Sequence, residues 1–129
     1  MSLLVDRLAA YLEGQGEADI FKLHRPAEPL ECVSLHATGG YPPSNYTERE
    51  RPTLQIVARA ATPDGALQKA YRLFRLLRHQ QNLDLGEGLD VLTLEALNSP
   101  AYMGTESTRG GVGHLASFNV LADLRRAQS

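Results

Sequence analysis

The most regular hydrophobic pattern in the chain lies between residues 62 and 79. Apolar side chains recur there at three- and four-residue spacing, at Ala66, Ala70, Leu73, Phe74 and Leu77, with Leu67, Tyr71 and Leu76 beside them. Thr62 can cap the first turn, and Pro63 suits the first helical position, where no N–H is needed. The pattern therefore predicts a long helix at about 62–79 with one buried side.

A shorter stripe of the same spacing opens the chain and stops at Gly14 and Gly16, which predicts an N-terminal helix. Asp6, Arg7 and Glu13 lie inside this apolar pattern. Charges at these positions argue against a signal peptide and against a membrane span.

Alternation of apolar and polar residues predicts several strands. The predicted strands are residues 20–26, 30–36, 52–61, 89–97 and 114–126. The order of elements predicts an α+β domain with an antiparallel or mixed sheet of four to five strands. We expect the long helix and the N-terminal helix to pack on this sheet, and residues 1–129 to form a single domain.

Three stretches lack a regular pattern. Residues 37–51 hold paired glycines, paired prolines and two tyrosines, and residues 98–113 are rich in Gly, Ser and Thr. Both are predicted to be long exposed loops, and residues 80–88 a turn region. Because long loops in compact domains often make contacts, 37–51 and 98–113 are candidate functional surfaces.

Composition excludes several classes of protein. The chain has 129 residues and a formal net charge of −2, which is typical of neither a disordered chain nor a strongly basic nucleic-acid-binding protein. Cys32 is the single cysteine, so neither an intramolecular disulfide nor a zinc site built on a cysteine pair is possible. We expect its thiol to be buried and inert.

Catalytic and metal-binding patterns are weak. The four histidines are His24, His36, His79 and His114. They lack HxxxH and HExxH spacing, and the sequence has no GxSxG or phosphate-binding glycine motif. Asp84, Glu87 and Asp90 lie close together without the ligand order of a calcium loop. We therefore expect no metal, no cofactor and no enzymatic activity.

The outer face of the long helix is basic. Its cations are Lys69, Arg72, Arg75 and Arg78. Such a cluster is enough for phosphate contacts, but no aromatic residue is interleaved for base stacking, and the whole chain is not basic. A nucleic-acid-binding module thus stays an alternative to a solvated face or a contact between subunits.

The middle of the chain, residues 34–77, has the sequence SLHATGGYPPSNYTERERPTLQIVARAATPDGALQKAYRLFRLL. This segment resembles the middle of the phage minor capsid and tail terminator proteins. In that family a strand leads to a paired-glycine loop, here Gly39 and Gly40. A strand of the form R-x-x-Leu-Gln-Ile-x-x-Arg follows, here Arg51 to Arg59, and then the long helix.

The end of the chain is also similar to that family. Pro100, Gly104 and Glu106 precede a final strand that carries Phe118 and Asn119. One departure is the sequence Gly-Thr-Glu-Ser from position 104, where family members often have Gly-Arg-Asp-Glu. The resemblance covers nearly the whole chain and lies mainly in the order of elements.

The resemblance implies a structural virion protein. Tail terminators assemble as a ring, usually of about six subunits, that caps the tail tube, ends its polymerisation and offers a surface for head–tail joining. The implied partners are further copies of the chain, the tail tube protein and a head-completion protein. DNA passes through the lumen without sequence-specific binding, and no membrane is involved. The implied location is the virion tail at the head–tail interface, after synthesis in the bacterial host cytoplasm from a phage or a prophage.

Ring subunits need two complementary patches, and aromatic side chains dominate interface cores. The hypothesised interface residues are Gly39, Gly40, Tyr41, Tyr46, Arg49, Arg51, Tyr102, Gly104 and Glu106. The basic helix face is hypothesised to line the lumen or to contact a neighbouring subunit. It remains open whether the tyrosines only fix their own loops.

Two further alternatives are a small ligand-binding or enzymatic α+β domain, which requires a pocket with convergent polar groups, and a head-completion (connector) protein of similar fold.

Overall fold

The computed structural model describes residues 4–41, 49–85 and 89–126. The helices are α1 (Leu4–Gly14) and α2 (Pro63–Leu77). The strands are β1 (Ile20–Lys22), β2 (Cys32–Tyr41), β3 (Arg49–Ala60), β4 (His79–Asp84), β5 (Leu89–Ala96), β6 (Ala101–Thr108) and β7 (Gly111–Arg126). The fold is thus α+β, as predicted, although seven strands replace the expected four to five among the described residues.

All seven strands belong to one sheet with the order β1-β2-β3-β7-β5-β4, and β6 pairs with β7. Apart from the parallel β1–β2 pair, every pairing is antiparallel. Strand β7 is 16 residues long and is paired on both sides. On one side it pairs with β3, and on the other it pairs first with β6 and then with β5.

Both helices pack on the same face of this sheet. The apolar side of α2, through Leu73 and Leu77, shares one buried cluster with α1 and with residues such as Ile56 and Phe118 of β3 and β7. At the start of α2 small side chains replace these larger residues. The buried alanines there are Ala58, Ala60, Ala66, Ala70 and Ala116. The helix therefore approaches the sheet closely at its first turns.

The predicted long helix is confirmed at its first turn, but it ends at Leu77, and His79 already belongs to β4. Thr62 is the N-cap, and its Oγ1 accepts a hydrogen bond from the amide of Gly65 at 2.9 Å. The N-terminal helix is also confirmed. Neither helix of the described residues is long and apolar enough to cross a membrane.

The predictions of irregular structure for three stretches are wrong in part. Residues 80–88 begin with strand β4, and residues 98–113 contain β6 and the start of β7. Strand β2 continues to Tyr41 and β3 begins at Arg49, so the predicted loop at 37–51 is shorter at both ends. Edge strands such as β4 and β6 expose most of their side chains, and hydrophobic alternation therefore cannot reveal them.

Candidate interaction surfaces and the arginine cluster

A group of hydrogen-bonded charged and polar side chains, of which Arg59 and Ser34 are buried, lies on the sheet face opposite the helices. We call Arg25, Ser34, His36, Arg59 and Glu106 the arginine cluster. At its centre is Arg59 of β3, which alternates with the buried alanines 58 and 60 and therefore points away from α2. Its side chain is only 1% exposed. A charge at such depth must be paired and hydrogen-bonded.

The guanidinium of Arg59 makes four hydrogen bonds. Nε donates to the carbonyl of Leu30 at 2.8 Å, and Nη2 donates to the carbonyls of Pro26 at 2.6 Å and Pro29 at 2.8 Å. Nη1 donates to the carboxylate of Glu106. Arg59 therefore fastens the segment between β1 and β2 to the sheet and connects it to β6.

Glu106 is shared between two arginines. Arg25 donates to its two oxygens from Nε at 3.3 and 3.2 Å and from Nη2 at 2.8 Å. The hydrogen bonds from Arg25, followed by those from Arg59, hold the pKa of this carboxyl below its ordinary value of 4.5, although burial opposes the shift. Glu106 therefore stays ionised and is directed into its own subunit.

The aliphatic part of Arg59 lies over Gly113 of β7. A Cβ at position 113 would come within 2.6 Å of Cδ and 2.7 Å of Cγ of Arg59. Gly113 pairs with Glu106 across the β6–β7 ladder, so the glycine opens the space in which the two charges meet. This glycine is required by the close approach of a neighbouring side chain.

Ser34 and His36 form the only part of the arginine cluster that resembles a nucleophile and its base. Ser34 Oγ lies 2.8 Å from His36 Nε2, which also lies 3.3 Å from Nη1 of Arg25. Burial and then the charge of Arg25 hold the pKa of His36 below its ordinary value of 6.5. Ser34, however, is completely buried, so a substrate cannot reach its hydroxyl. The geometry supports a structural pair.

Cys32 lies on the same face of β2 as Ser34 and His36. It is fully buried, and burial raises the pKa of its thiol. The prediction of a buried thiol is confirmed, and a raised pKa disfavours the thiolate that a nucleophile needs. In the part of the chain that the structure describes, no three His, Cys, Asp or Glu side chains are grouped to hold a metal ion.

The basic residues of α2 separate into two pairs. We call Lys69, Arg72, Arg75 and Arg78 the α2 cation row. Arg72 makes two 2.8 Å hydrogen bonds to the carboxylate of Glu17, and Lys69 lies 3.8 Å from a carboxylate oxygen of Glu31.

Arg75 and Arg78 are exposed and form no ion pair with another described residue. Half of the predicted charged face is therefore neutralised within the chain.

The outer edge of β6 is open. Its only ladder partner among the described strands is β7. Tyr102 is 43% exposed and Met103 is 51% exposed, and on the adjoining strand Val112 is 55% exposed. The hydroxyl of Tyr102 lies 2.8 Å from Nδ1 of His114, which fixes the ring at the surface. We call this outer side of Ala101–Thr108 the β6 edge.

The other predicted interface residues have mixed positions. Gly40 has a φ of +131°, and a Cβ there would lie 2.5 Å from the carbonyl oxygen of Arg51, so the glycine permits the β2–β3 contact. Gly39 and Gly104 also have positive φ, and Gly104 lies at an irregularity of the β6–β7 pairing. Tyr41 and Arg49 end β2 and begin β3, respectively. Tyr46 lies outside the described residues.

A groove of about 220 Å³ lies between α1 and the ends of β2 and β3, lined by residues that include Leu4, Leu23 and Pro52. This volume is below the roughly 300–1,000 Å³ of small-molecule sites. None of its lining residues belongs to the arginine cluster. The groove therefore gives the ligand-binding alternative little support.

Comparison with known families gives a match over most of the chain. The model of a family described as bacteriophage tail terminator protein matches residues 8–114, which is most of the chain. No curated protein matches the sequence. The matched region includes the larger part of α1, all of α2, the β6 edge and all five residues of the arginine cluster.

Proposed function

The chain belongs to the bacteriophage tail terminator family, and on this premise we propose that it forms a ring of about six copies on the end of the tail tube. The ring ends polymerisation of the tube and provides the surface on which the head is joined. The protein acts by assembly and performs no chemistry.

The observation that carries this proposal is the open β6 edge. Monomeric proteins usually protect an exposed edge strand with charges, prolines or a covering segment. Strand β6 contains neither lysine nor proline, and its one charged residue, Glu106, is directed into the arginine cluster. An uncharged edge with Tyr102 and Met103 exposed is suited to contact another protein.

Only two residues of the α2 cation row, Arg75 and Arg78, are part of the proposal. Lys69 and Arg72 already have carboxylate partners in the same chain, whereas Arg75 and Arg78 do not among the described residues. We propose that Arg75 and Arg78 are the cations that face a neighbouring subunit or the DNA in the lumen. Such a contact attracts phosphate without reading sequence.

The proposal is tested by native mass spectrometry over a concentration series, with negative-stain images, and by adding the protein to polymerising tail tube protein. We expect a closed ring and tubes that stop growing at the capped end. A matched control is Arg72→Ala, whose side chain already pairs with Glu17 and which should leave both results unchanged. A protein that stays monomeric at every concentration and leaves tube length unaltered would contradict the proposal.

A further inference from the structure

We propose that neighbouring copies join strand to strand, with the β6 edge of one copy pairing with strand β4 of the next. The inference rests on the proposed ring and specifies how that ring closes. It follows from the free edges of the sheet, from the charge at each edge and from the rigidity of β6.

The described part of the sheet has three strands with an unpaired side. These are β1, β4 and β6, of three, six and eight residues. Strand β1 offers the shortest ladder and contacts α1, including an ion pair of 3.1 Å between Lys22 and Asp6. The two long edges, β4 and β6, are therefore the ones on which a second chain can form several hydrogen bonds.

A closed ring of many copies requires two different patches on each subunit. If β6 paired with β6, the contact would be self-complementary, and it would stop at a dimer. Pairing of β6 with β4 leaves one open β6 and one open β4 at the ends of any chain of copies, so addition continues until the ring closes.

Neither edge carries a lysine or a proline, although each has one backbone irregularity, at Asn82 in β4 and between Tyr102 and Gly104 in β6. Strand β4 has the sequence HQQNLD and β6 the sequence AYMGTEST, so lysine and proline are absent from both. Asn82 has a φ of +52° and interrupts β4, whose pairing with β5 resumes at Leu83 and Asp84. The amide side chains of Gln80 and Gln81 carry no charge that would repel a second strand.

The β6 edge is also held in place before any partner arrives. Glu106 is fastened by Arg25 and Arg59, and the turn after β6 is fastened by a 3.3 Å hydrogen bond from the amide of Arg109 to the carbonyl of Ala27. A preorganised strand loses less conformational entropy on binding than a free one. The arginine cluster thus serves assembly by making β6 rigid.

The test places a lysine on each edge. Met103→Lys charges the β6 edge, and Gln81→Lys charges the exposed middle of β4. The matched control is Val112→Lys, because Val112 is as exposed as Met103 but lies on β7 opposite Ser107, on the side of β6 that is already paired. Circular dichroism spectra establish that each variant keeps its fold, and native mass spectrometry gives the number of copies.

We expect Met103→Lys alone and Gln81→Lys alone to be monomers, and Val112→Lys to keep the ring. An equimolar mixture of the two edge variants should form dimers and nothing larger, because only one intact β6 and one intact β4 remain to pair. Dimers of Gln81→Lys alone would overturn the inference in favour of β6–β6 pairing. Intact rings of both edge variants would overturn it while leaving the proposed ring in place. A wild-type monomer that still caps tubes would also overturn it, whereas a monomer that fails to cap contradicts the proposed function itself.

Discussion

The arginine cluster and the α2 cation row use the same kinds of side chain in opposite ways. Arg59 is 1% exposed, and its guanidinium is bonded to one carboxylate and three backbone carbonyls. Arg72 is 54% exposed, although it too has a carboxylate partner, Glu17. The contribution of an ion pair to stability therefore depends on how far its two side chains are removed from water. The number of charged residues alone does not indicate this contribution.

The difference has a physical origin. A pair in water gains little, because solvent screens the charges and both side chains lose freedom when they are held together. In the protein interior the gain and the desolvation penalty are both large, and removal of one partner leaves the other without compensation. The arginine cluster is therefore a place where single substitutions are costly, and the α2 cation row is not.

The largest expected effect follows from Arg59→Met, which keeps an unbranched apolar stem at this position and removes the guanidinium with its charge. Glu106 then keeps only Arg25, and the carbonyls of Pro26, Pro29 and Leu30 lose their donor. We expect the free energy of unfolding to fall by about 3–5 kcal/mol. Urea denaturation at neutral pH measures this change.

The matched variant is Arg25→Met, at a position that is partly exposed and whose partner Glu106 keeps Arg59. Its expected cost is smaller, about 1–3 kcal/mol. An equal loss in both variants would mean that burial does not distinguish the two arginines.

Lowering the pH is expected to reduce the free energy of unfolding by an intermediate amount. The pKa of Glu106 is lower in the folded chain than its ordinary 4.5, so below pH 4.5 the unfolded chain takes up the proton first and stability falls. The pKa of His36 is also lowered, from 6.5, so the unfolded chain is protonated first below pH 6.5 as well. Both groups therefore reduce stability as the pH falls, in two separate ranges.

The substitution that separates the two ranges is Glu106→Gln. Unfolding free energies measured from neutral pH down through pH 4.5 should lose the lower step in this variant and keep the upper one. The variant His36→Asn should do the reverse. A lower step that survives in Glu106→Gln would have to come from other carboxyl groups.

The smallest effects are expected in the α2 cation row. Arg72→Ala should cost about 1 kcal/mol, because its side chain is 54% exposed, although the substitution removes the partner of Glu17, whose side chain is only 7% exposed. Arg75→Ala should change stability by no more than about 0.5 kcal/mol, since no described residue pairs with it. If Arg72→Ala proved as costly as Arg59→Met in the same urea experiment, the comparison between the two regions would fail.

Much of the fold was predictable because α1, α2, β5 and β7 place apolar residues on one side at a regular period. The strand β6 was not predictable in this way. One of its faces is exposed, and the other is half-buried and carries Glu106, which pairs with two arginines, so neither face is marked by hydrophobic residues. Strand β6 is stabilised by its hydrogen-bonded ladder with β7 and by the ion pairs of Glu106 with Arg25 and Arg59. A hydrophobicity pattern shows neither kind of interaction.

The candidate site was predictable only in fragments. The hypothesised interface residues Tyr102, Gly104 and Glu106 all lie on β6, and the bonds from Glu106 to Arg25 and Arg59 were not foreseen from the sequence. The sequence does contain one signal, an arginine that alternates with small residues inside a strand, at Ala58, Arg59 and Ala60. Its partner is 47 residues away, and only the fold brings the two together.

That separation also determines when the arginine cluster can form. Arg25 and Glu106 are 81 positions apart, and their contact requires that β6, β7 and β3 are already aligned. Contacts of this kind are absent from the folding transition state when it contains mainly local structure. The loss caused by Arg59→Met would then appear almost entirely as faster unfolding, with the rate of folding little changed. The arginine cluster would in that case govern how long each native subunit lasts.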